Sequence, residues 1–415
     1  MTEKVNRSVL VRLKITRRFA LFLISWLLAV PLVRADPGAQ VATRVSSGGD
    51  AGAPVTLPRA RQYDIVSRAN GQTYRIFVST PVNAQPTTAY PVVYVLDGNG
   101  SIFIAAGAAM NQSFIGGVIA PAIVVGIGYP TDDLRDIFLR RRRLDLTPSL
   151  AGQPGGTGGG GGDVFLRVIE KEVKPFVMAR YRLDPSKQSI YGYSLGGLAV
   201  LRCLFRNPTA FSTYIAASPS IWWNNREVLA DEAVFSKRAR AGELQLKVLI
   251  TSAGDEQYRG DDPQRLAAEQ RGARMVDNAS ELAARLAALN PRRITVVRTI
   301  FDGELHVTAP QASLSRAVRF ALSRTETALA PEVLAHYVGV YQVTPASTIT
   351  VVQSSGGLTV QLTGDPAVPL LAQSEDEFFL KDGGQITFER DSSGAVTGLV
   401  SHQGLGKDTS AVKVK

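Results

Sequence analysis

Continuous apolar runs alternate with amphipathic stretches through the middle of the chain. Runs of this kind predict strands that are buried on both faces, as in a parallel sheet covered by helices. They lie at residues 91–96, 122–127, 214–217, 247–251 and 294–300. Helical spacing occurs between them, most clearly at 164–177 and 198–205, and again from about Pro310. Strands that alternate with helices predict an α/β domain with a mostly parallel central sheet.

The pattern differs at both ends of this region. Residues 62–67 and 73–78 read as two strands joined through Asn70-Gly71, which predicts a β-hairpin. After about Thr327 the helical spacing stops, and short alternating segments separated by turn residues predict a small antiparallel β-domain. These segments are 348–352, 357–362, 377–380, 385–389 and 397–400.

The N-terminal residues have the pattern of an export signal. A basic stretch precedes the apolar run at 19–30, and Ala35 ends a segment of the kind that signal peptidase cleaves. The run is shorter than the roughly 20 residues that span a membrane, and an uncleaved anchor is the alternative. We predict an exported, bacterial periplasmic or secreted protein. The predicted parts are a signal peptide (1–35), a flexible linker (36–60), the α/β domain (61–326) and the β-domain (331–415).

Charge and cysteine content exclude some classes of protein. The net charge is +10, but residues 1–35 supply +6 of it, and no basic stripe with interleaved aromatic residues follows. Nucleic acid is therefore not a predicted partner. Cys203 is the only cysteine, so no internal disulfide forms, and its place on a predicted helix indicates a buried apolar role. Three scattered histidines and one cysteine predict neither a metal nor a cofactor.

A serine flanked by glycines is the strongest sign of chemistry. Residues 191–197 read Tyr-Gly-Tyr-Ser-Leu-Gly-Gly, so Gly192 and Gly196 flank Ser194 in a G-x-S-x-G pattern. In α/β hydrolases this pattern turns a strand sharply into a helix and exposes the serine as a nucleophile, and bulky neighbours would clash there. In a chain with 38 glycines the pattern is weak on its own, so a base, an acid and oxyanion donors must accompany it.

The chain order of an α/β hydrolase, serine then acid then histidine, supplies the partners. His306 follows the last apolar run and precedes a helical pattern, where the base is expected, while His336 and His402 lie at or in the β-domain and are interpreted as structural. Asp255 and Glu256 follow the run at 247–251, where the acid is expected. Only one of them can face the imidazole, because neighbouring side chains point apart. We favour Glu256, with Asp255 as the alternative.

Two backbone N–H groups are expected to bind the oxyanion of the tetrahedral intermediate. One belongs to Leu195, the residue after the nucleophile. The other is expected from Gly98 or Asn99, in a glycine-containing loop that follows the run at 91–96. Together these residues predict a serine esterase that acts on a small-molecule ester. An acyltransferase with the same residues and a non-catalytic binding protein on the same scaffold are the alternatives.

Several segments outside the candidate site carry a further signal. They read Tyr-Val-Leu-Asp-Gly at 94–98, Gly-Ile-Gly-Tyr-Pro at 126–130, Arg-Leu-Asp-Leu-Thr-Pro at 143–148 and Ala-Ser-Pro-Ser-Ile-Trp-Trp at 217–223. With 191–197, they resemble an esterase family of α/β hydrolases that includes the esterase D-like enzymes and the periplasmic esterases that open trilactone siderophores. The resemblance implies an α/β-hydrolase fold over about residues 60–325. The tail resembles the small β-domain appended to some bacterial serine hydrolases.

Three further residues are candidates for binding the substrate. Arg143 ends a run of four arginines, which is either a solvated basic surface or a site for an anionic substrate such as a catecholate siderophore. Trp222 and Trp223 follow a Ser-Pro-Ser turn and are expected to lie partly in the core and partly in the wall of a pocket for apolar or aromatic groups.

Overall fold

The computed structural model describes residues 55–115, 117–150, 159–258, 260–265, 268, 272–354, 357–402 and 408–415. The predicted signal peptide and most of the predicted linker lie outside these residues. Leu57–Lys415 form one compact unit. Within the described ranges, no helix has both the length and the apolar character needed to cross a membrane.

An eight-stranded sheet forms the centre of residues 60–301. Its strands are β1 (Ala60–Val66), β2 (Thr73–Ser79), β3 (Tyr90–Leu96), β4 (Ile123–Gly128), β5 (Leu183–Tyr193), β6 (Thr213–Ala217), β7 (Leu246–Ala253) and β8 (Ile294–Phe301). The order across the sheet is β1-β2-β4-β3-β5-β6-β7-β8. The pairs β1–β2 and β2–β4 are antiparallel, and every other pair is parallel. The predicted hairpin and mostly parallel sheet are confirmed.

Helices cover both faces of the sheet, and on each face an apolar cluster fills the space between sheet and helices. The helices are α1 (Gly98–Met110), α2 (Leu134–Asp136), α3 (Arg142–Leu146), α4 (Gly162–Val168), α5 (Lys174–Met178), α6 (Leu195–Arg206), α7 (Trp223–Arg226), α8 (Glu232–Arg240), α9 (Met275–Ala287), α10 (Ala309–Leu322) and α11 (Pro331–Ala335). Successive residues of β3 face opposite clusters, so Val93 and Val95 pack with α1 and α10, whereas Tyr94 and Leu96 pack with α4, α6 and α8. Cys203 is buried in α6, as predicted.

The C-terminal residues form a closed antiparallel barrel. Its strands are β9 (Gly339–Thr344), β10 (Ser347–Ser354), β11 (Gly357–Leu362), β12 (Val368–Ala372), β13 (Glu377–Phe379), β14 (Gln385–Arg390), β15 (Val396–His402) and β16 (Thr409–Lys413). The aromatic rings of Tyr337, Tyr341, Phe378 and Phe388 contact one another in its core. The prediction of a small antiparallel β-domain is confirmed. The expectation that helices stop after Thr327 is wrong, because Pro331 begins the one-turn helix α11.

Arg324 joins the barrel to α10. Its guanidinium donates hydrogen bonds to the side-chain oxygens of Gln373 and Gln385, two residues of the barrel segment. The barrel therefore contacts the C-terminal end of α10. His306 lies just before the N-terminal end of this 14-residue helix, which is about 20 Å long.

Candidate active site

Ser194 lies at the point where β5 turns directly into α6. Its φ angle is 59°, a left-handed value that few non-glycine residues adopt, and it separates the last residue of the strand from Leu195 at the start of the helix. Its backbone N–H donates to the carbonyl of Ala217 on the neighbouring strand, which fixes the turn against the sheet. This geometry places the hydroxyl at the carboxyl edge of the sheet, as the glycine-flanked pattern predicts.

The glycines of the motif are not equivalent. A Cβ atom at Gly192 would collide with the backbone carbonyl of Gly196. At Gly196 the nearest atom to an added Cβ would be an Asp97 carboxylate oxygen at 3.4 Å, an ordinary van der Waals distance. Any side chain would therefore clash at Gly192, whereas a single methyl group fits at Gly196, where the expected clash with bulkier side chains stays a prediction. Gly197 is the second crowded position, since its Cβ would lie 2.8 Å from the carbonyl oxygen of Ala217.

Three loops bring a serine, a histidine and a carboxylate together. Nε2 of His306 lies 3.0 Å from Oγ of Ser194, and Nδ1 of the same ring lies 2.8 Å from Oε2 of Glu256. Glu256 ends the short turn Gly254–Glu256 after β7, and its other oxygen accepts the backbone N–H of Ala253. Of the two candidate acids, the structure places Glu256 against the imidazole.

Asp255 has a different part in the same turn. Its backbone N–H donates to the carbonyl of Glu304, in the loop that carries His306. The acid-bearing turn and the histidine-bearing loop are thereby joined through their backbones. Asp302, in the same loop, is exposed.

Tyr193 supports the histidine loop from the strand that carries the nucleophile. Its hydroxyl donates to the backbone carbonyl of His306 at 2.6 Å, and the two rings lie 5.2 Å apart. Burial raises the pKa of Tyr193, so the hydroxyl stays protonated and remains a donor. Tyr193 lies within the glycine-flanked motif, but nothing in the sequence pattern indicates this role.

Ser220 is a second hydroxyl beside the nucleophile. Its Oγ lies 3.3 Å from Oγ of Ser194, and its backbone N–H donates to the carbonyl of Ser194. The side chain is buried, so water does not compete freely for this contact. The Ser-Pro-Ser turn was noticed in the sequence, but nothing in a linear pattern indicates which of its hydroxyls faces Ser194.

The candidate oxyanion donors lie at the beginnings of two helices. Leu195 is the first residue of α6, where backbone N–H groups have no partner within the helix. Gly98 and Asn99 were expected in a loop, but they form the first turn of α1. The side chain of Asn99 bonds to both the N–H and the carbonyl of Tyr129, which ties α1 to the end of β4.

Gly98 is required by packing. A Cβ atom there would lie 2.7 Å from the backbone of Gly126 and Ile127, so only glycine lets α1 begin so close to β4. The assignment of Leu195, Gly98 and Asn99 as oxyanion donors stays a prediction.

The arginine run is mostly structural. Arg140 is exposed and pairs with Asp136, as a solvated arginine would. Arg141 and Arg142 are buried, so the interpretation of the run as a solvated surface is wrong for these two. Arg141 donates to the carbonyl of Thr73. Arg142 donates to Asp97 at 2.7 Å and to the carbonyl of Tyr193 at 2.8 Å, which ties residues 134–146 to the turn that holds the nucleophile.

The remaining substrate-binding candidates are Arg143, Trp222 and Trp223, and the backbone N–H of Trp223 donates to the carbonyl of Ser220. The guanidinium of Arg143 lies 5.8 Å from the centre of the Trp223 ring. Trp223 is buried, with 3% of its surface exposed, and packs in the core. Trp222 is partly exposed. Trp223 is therefore a core residue. Trp222 and Arg143 keep some exposed surface, and their part in binding a substrate stays a prediction.

A cleft lies beside Tyr193, the residue that precedes the nucleophile in the chain. It has a volume of about 540 Å³, within the usual range for small-molecule sites, and lies between α1, residues 134–142 and the N-terminal part of α10. Tyr193, Asn99 and Arg142 line it, which places it beside both the nucleophile turn and a candidate oxyanion donor.

This fold and site agree with a family match. The model of the esterase family described as "Putative esterase" matches residues 67–289, more than half of the 415-residue chain. The chain belongs to this esterase family. The family resemblance predicted from the sequence is confirmed. A second model, described as a domain of unknown function (DUF3471), matches residues 323–411, the barrel region of this esterase.

The similar proteins include siderophore esterases. The esterase is 36% identical over 288 residues to the ferri-bacillibactin esterase BesA of Bacillus subtilis, which covers 67% of this chain and 94% of the relative. It is also 36% identical over 288 residues to the siderophore triacetylfusarinine C esterase of Aspergillus fumigatus, with 65% and 95% covered. Among solved structures, the BES protein of Bacillus cereus has a TM-score of 0.57 at 31% identity, covering 65% of this chain and 98% of that one.

Proposed function

We propose that this member of the esterase family is a serine esterase that hydrolyses siderophore-type esters through an acyl-enzyme. The observation that carries the proposal is the chain of hydrogen bonds from Ser194 through His306 to Glu256. A serine hydroxyl needs such a base and such an orienting acid to act as a nucleophile near neutral pH.

The geometry supports the following sequence of steps. Oγ of Ser194 attacks the ester carbonyl carbon while Nε2 of His306 takes the hydroxyl proton, and Nδ1–H donates to the Glu256 carboxylate throughout. Backbone N–H groups at the start of α6 and α1 stabilise the oxyanion. The C–O bond to the alcohol breaks as the imidazolium returns its proton to the departing oxygen. Water then repeats the sequence on the acyl-enzyme and releases the acid.

The relatives support the siderophore part of the proposal. Two relatives of 36% identity are named as esterases of ferri-bacillibactin and of triacetylfusarinine C. The alignment covers more than nine-tenths of each relative's length. The predicted N-terminal signal supports an exported enzyme that meets such compounds outside the cytoplasm, with a membrane contact only through that segment if it stays uncleaved.

The first experiment tests the nucleophile. Purified protein is mixed with 4-nitrophenyl acetate and, separately, with a fluorophosphonate probe. We expect hydrolysis, and a covalent adduct that peptide mass spectrometry locates on Ser194, with neither reaction in Ser194→Ala. A wild-type protein that does neither would be a binding protein on a hydrolase scaffold, and the proposal would fail.

The second experiment tests the substrate class and the acceptor. Bacillibactin and triacetylfusarinine C are each offered iron-free and as the iron complex. The products are then separated after reactions with and without an added alcohol. Release of free acids at a rate unaffected by alcohol supports a siderophore hydrolase. Acyl transfer to the alcohol as the main product would identify an acyltransferase instead.

A further inference from the structure

The cleft beside Tyr193 has an apolar wall. Leu134 and Phe138 line it, and they expose 64% and 54% of their surface. Ile104 of α1 and Leu314 of α10 line the same cleft. Large apolar side chains left open to solvent beside a reactive site are typical of surfaces that bind an apolar ligand group.

The charges that line the cleft are not those of an anion site. Among the described residues, Arg142 is the only cation on the lining, and Asp97 and Asp132 are the anions. The guanidinium of Arg142 already has protein partners. It pairs with Asp97, donates to the carbonyl of Tyr193 and lies over the Phe138 ring. Its charge is therefore balanced by Asp97, and exposed Asp132 leaves one excess negative charge on the lining. Arg75, which interacts with Asp132 from outside the lining, is itself paired with Asp64.

Resting on the proposed esterase function, we propose that the cleft binds an uncharged, apolar arm of the ester and rejects an anionic one. An anionic arm would lose hydration against Phe138 and Leu134 and would be repelled by Asp132. The predicted substrate class is thus an ester with a branched alkyl or aryl arm that carries no carboxylate. An anionic group of the same substrate would have to lie outside the cleft.

Matched ester pairs test this selectivity. For the acyl arm the pair is 4-nitrophenyl pentanoate and 4-nitrophenyl hemiglutarate, which differ by a terminal carboxylate. For the alcohol arm the pair is phenyl acetate and 3-carboxyphenyl acetate. We expect kcat/KM to favour the neutral ester by on the order of tenfold or more in one pair, the one whose varied arm enters the cleft.

Three variants connect that preference to the cleft. Asp132→Lys should reduce the preference about fivefold by raising kcat/KM for the anionic ester, and the gain should shrink at high salt. Phe138→Ala should lower kcat/KM for the neutral ester severalfold. Asp302→Lys is the matched control, because it makes the same charge change on an exposed residue of the His306 loop that does not line the cleft.

The outcomes separate this inference from the esterase function. Loss of Ser194-dependent hydrolysis of every ester would remove the proposed function itself. Ser194-dependent hydrolysis with no neutral preference in either pair would overturn the cleft inference alone. So would a preference that Asp302→Lys reduces as much as Asp132→Lys does.

Discussion

Glu256 lies 2.8 Å from Nδ1 of His306 with 1% of its side chain exposed, while its neighbour Asp255 bonds the same loop only through its backbone. The two carboxylates therefore predict opposite mutational results. Glu256→Gln should lower kcat about a thousandfold, because an amide no longer stabilises the imidazolium and can favour the wrong tautomer. Asp255→Asn should change kcat less than about threefold. Steady-state hydrolysis of 4-nitrophenyl acetate distinguishes them, and the reverse pattern would make Asp255 the acid.

Ser220 provides a second test of how the nucleophile is held. Removing its hydroxyl with Ser220→Ala takes away the contact 3.3 Å from Oγ of Ser194. We expect kcat to fall about tenfold with KM nearly unchanged, because a less well oriented nucleophile slows the chemical step and not binding. The rate of fluorophosphonate labelling should fall in parallel.

Ser313→Ala is the matched control for that variant. Ser313 is equally buried, but its hydroxyl bonds to Tyr191 at 2.7 Å and not to the nucleophile. It should lower the unfolding temperature about as much as Ser220→Ala does and leave kcat intact. Equal kcat values for the two variants would show that the Ser220 contact does not position Ser194.

The two glycines that flank Ser194 predict an asymmetry in stability. Gly192→Ala should lower the free energy of unfolding by about 3 kcal/mol or more, because its methyl group overlaps the Gly196 carbonyl and the backbone must move. Gly196→Ala should be neutral or stabilise by up to about 1 kcal/mol, since the position is helical and has room. Urea unfolding of both variants checks this, and equal losses would contradict the packing seen here.

Continuous apolar runs made the central sheet predictable, whereas strands with polar or interrupted sequences were missed. The run at 91–96 coincides with β3 because both faces of that strand are buried. β12 was not predicted, since Pro369 interrupts its pattern, yet it pairs with β11 through Leu370 and Leu358. β16 is short and weakly patterned, and it forms because it closes the barrel against β9. Such strands are decided by their neighbours and not by their own sequence.

In the site, too, some residues could be predicted from the sequence and others depended on how distant segments pack. Ser194, His306 and the pair of carboxylates were predictable, because a serine hydrolase needs these groups in a known order at strand ends. The contact between Asp97 and Arg142 was not, since it spans 45 residues and depends on how residues 134–146 fold over the sheet. A run of arginines gives no sign of which member is buried. The choice of Glu256 over Asp255 likewise needed the turn after β7.

The last prediction concerns Asp145, a carboxyl buried in α3. It accepts a hydrogen bond from the hydroxyl of Tyr74, but burial dominates and raises the pKa of Asp145 to about 6. The folded protein therefore binds this proton more tightly than the unfolded chain does, and the free energy of unfolding falls as the pH rises from about 4 through about 6. The shift corresponds to a loss of about 3 kcal/mol at most by neutral pH.

Asp145→Asn cannot titrate, so it removes this component. The tyrosines and the arginine whose pKa values Asp145 raises all titrate above pH 7, outside the range tested. Urea unfolding at several pH values should show that the variant gains stability relative to the wild type between pH 4 and pH 7. Asp136→Asn is the control with the opposite sign, because the hydrogen bond from exposed Arg140 lowers the pKa of Asp136. Its effect should lie at and below about pH 4, where the wild type loses stability relative to this variant as the pH falls. A difference between Asp145→Asn and wild type that does not vary with pH would mean that the pKa of Asp145 is the same in the folded and unfolded states, and that the neighbouring hydroxyls and Arg141 offset its burial.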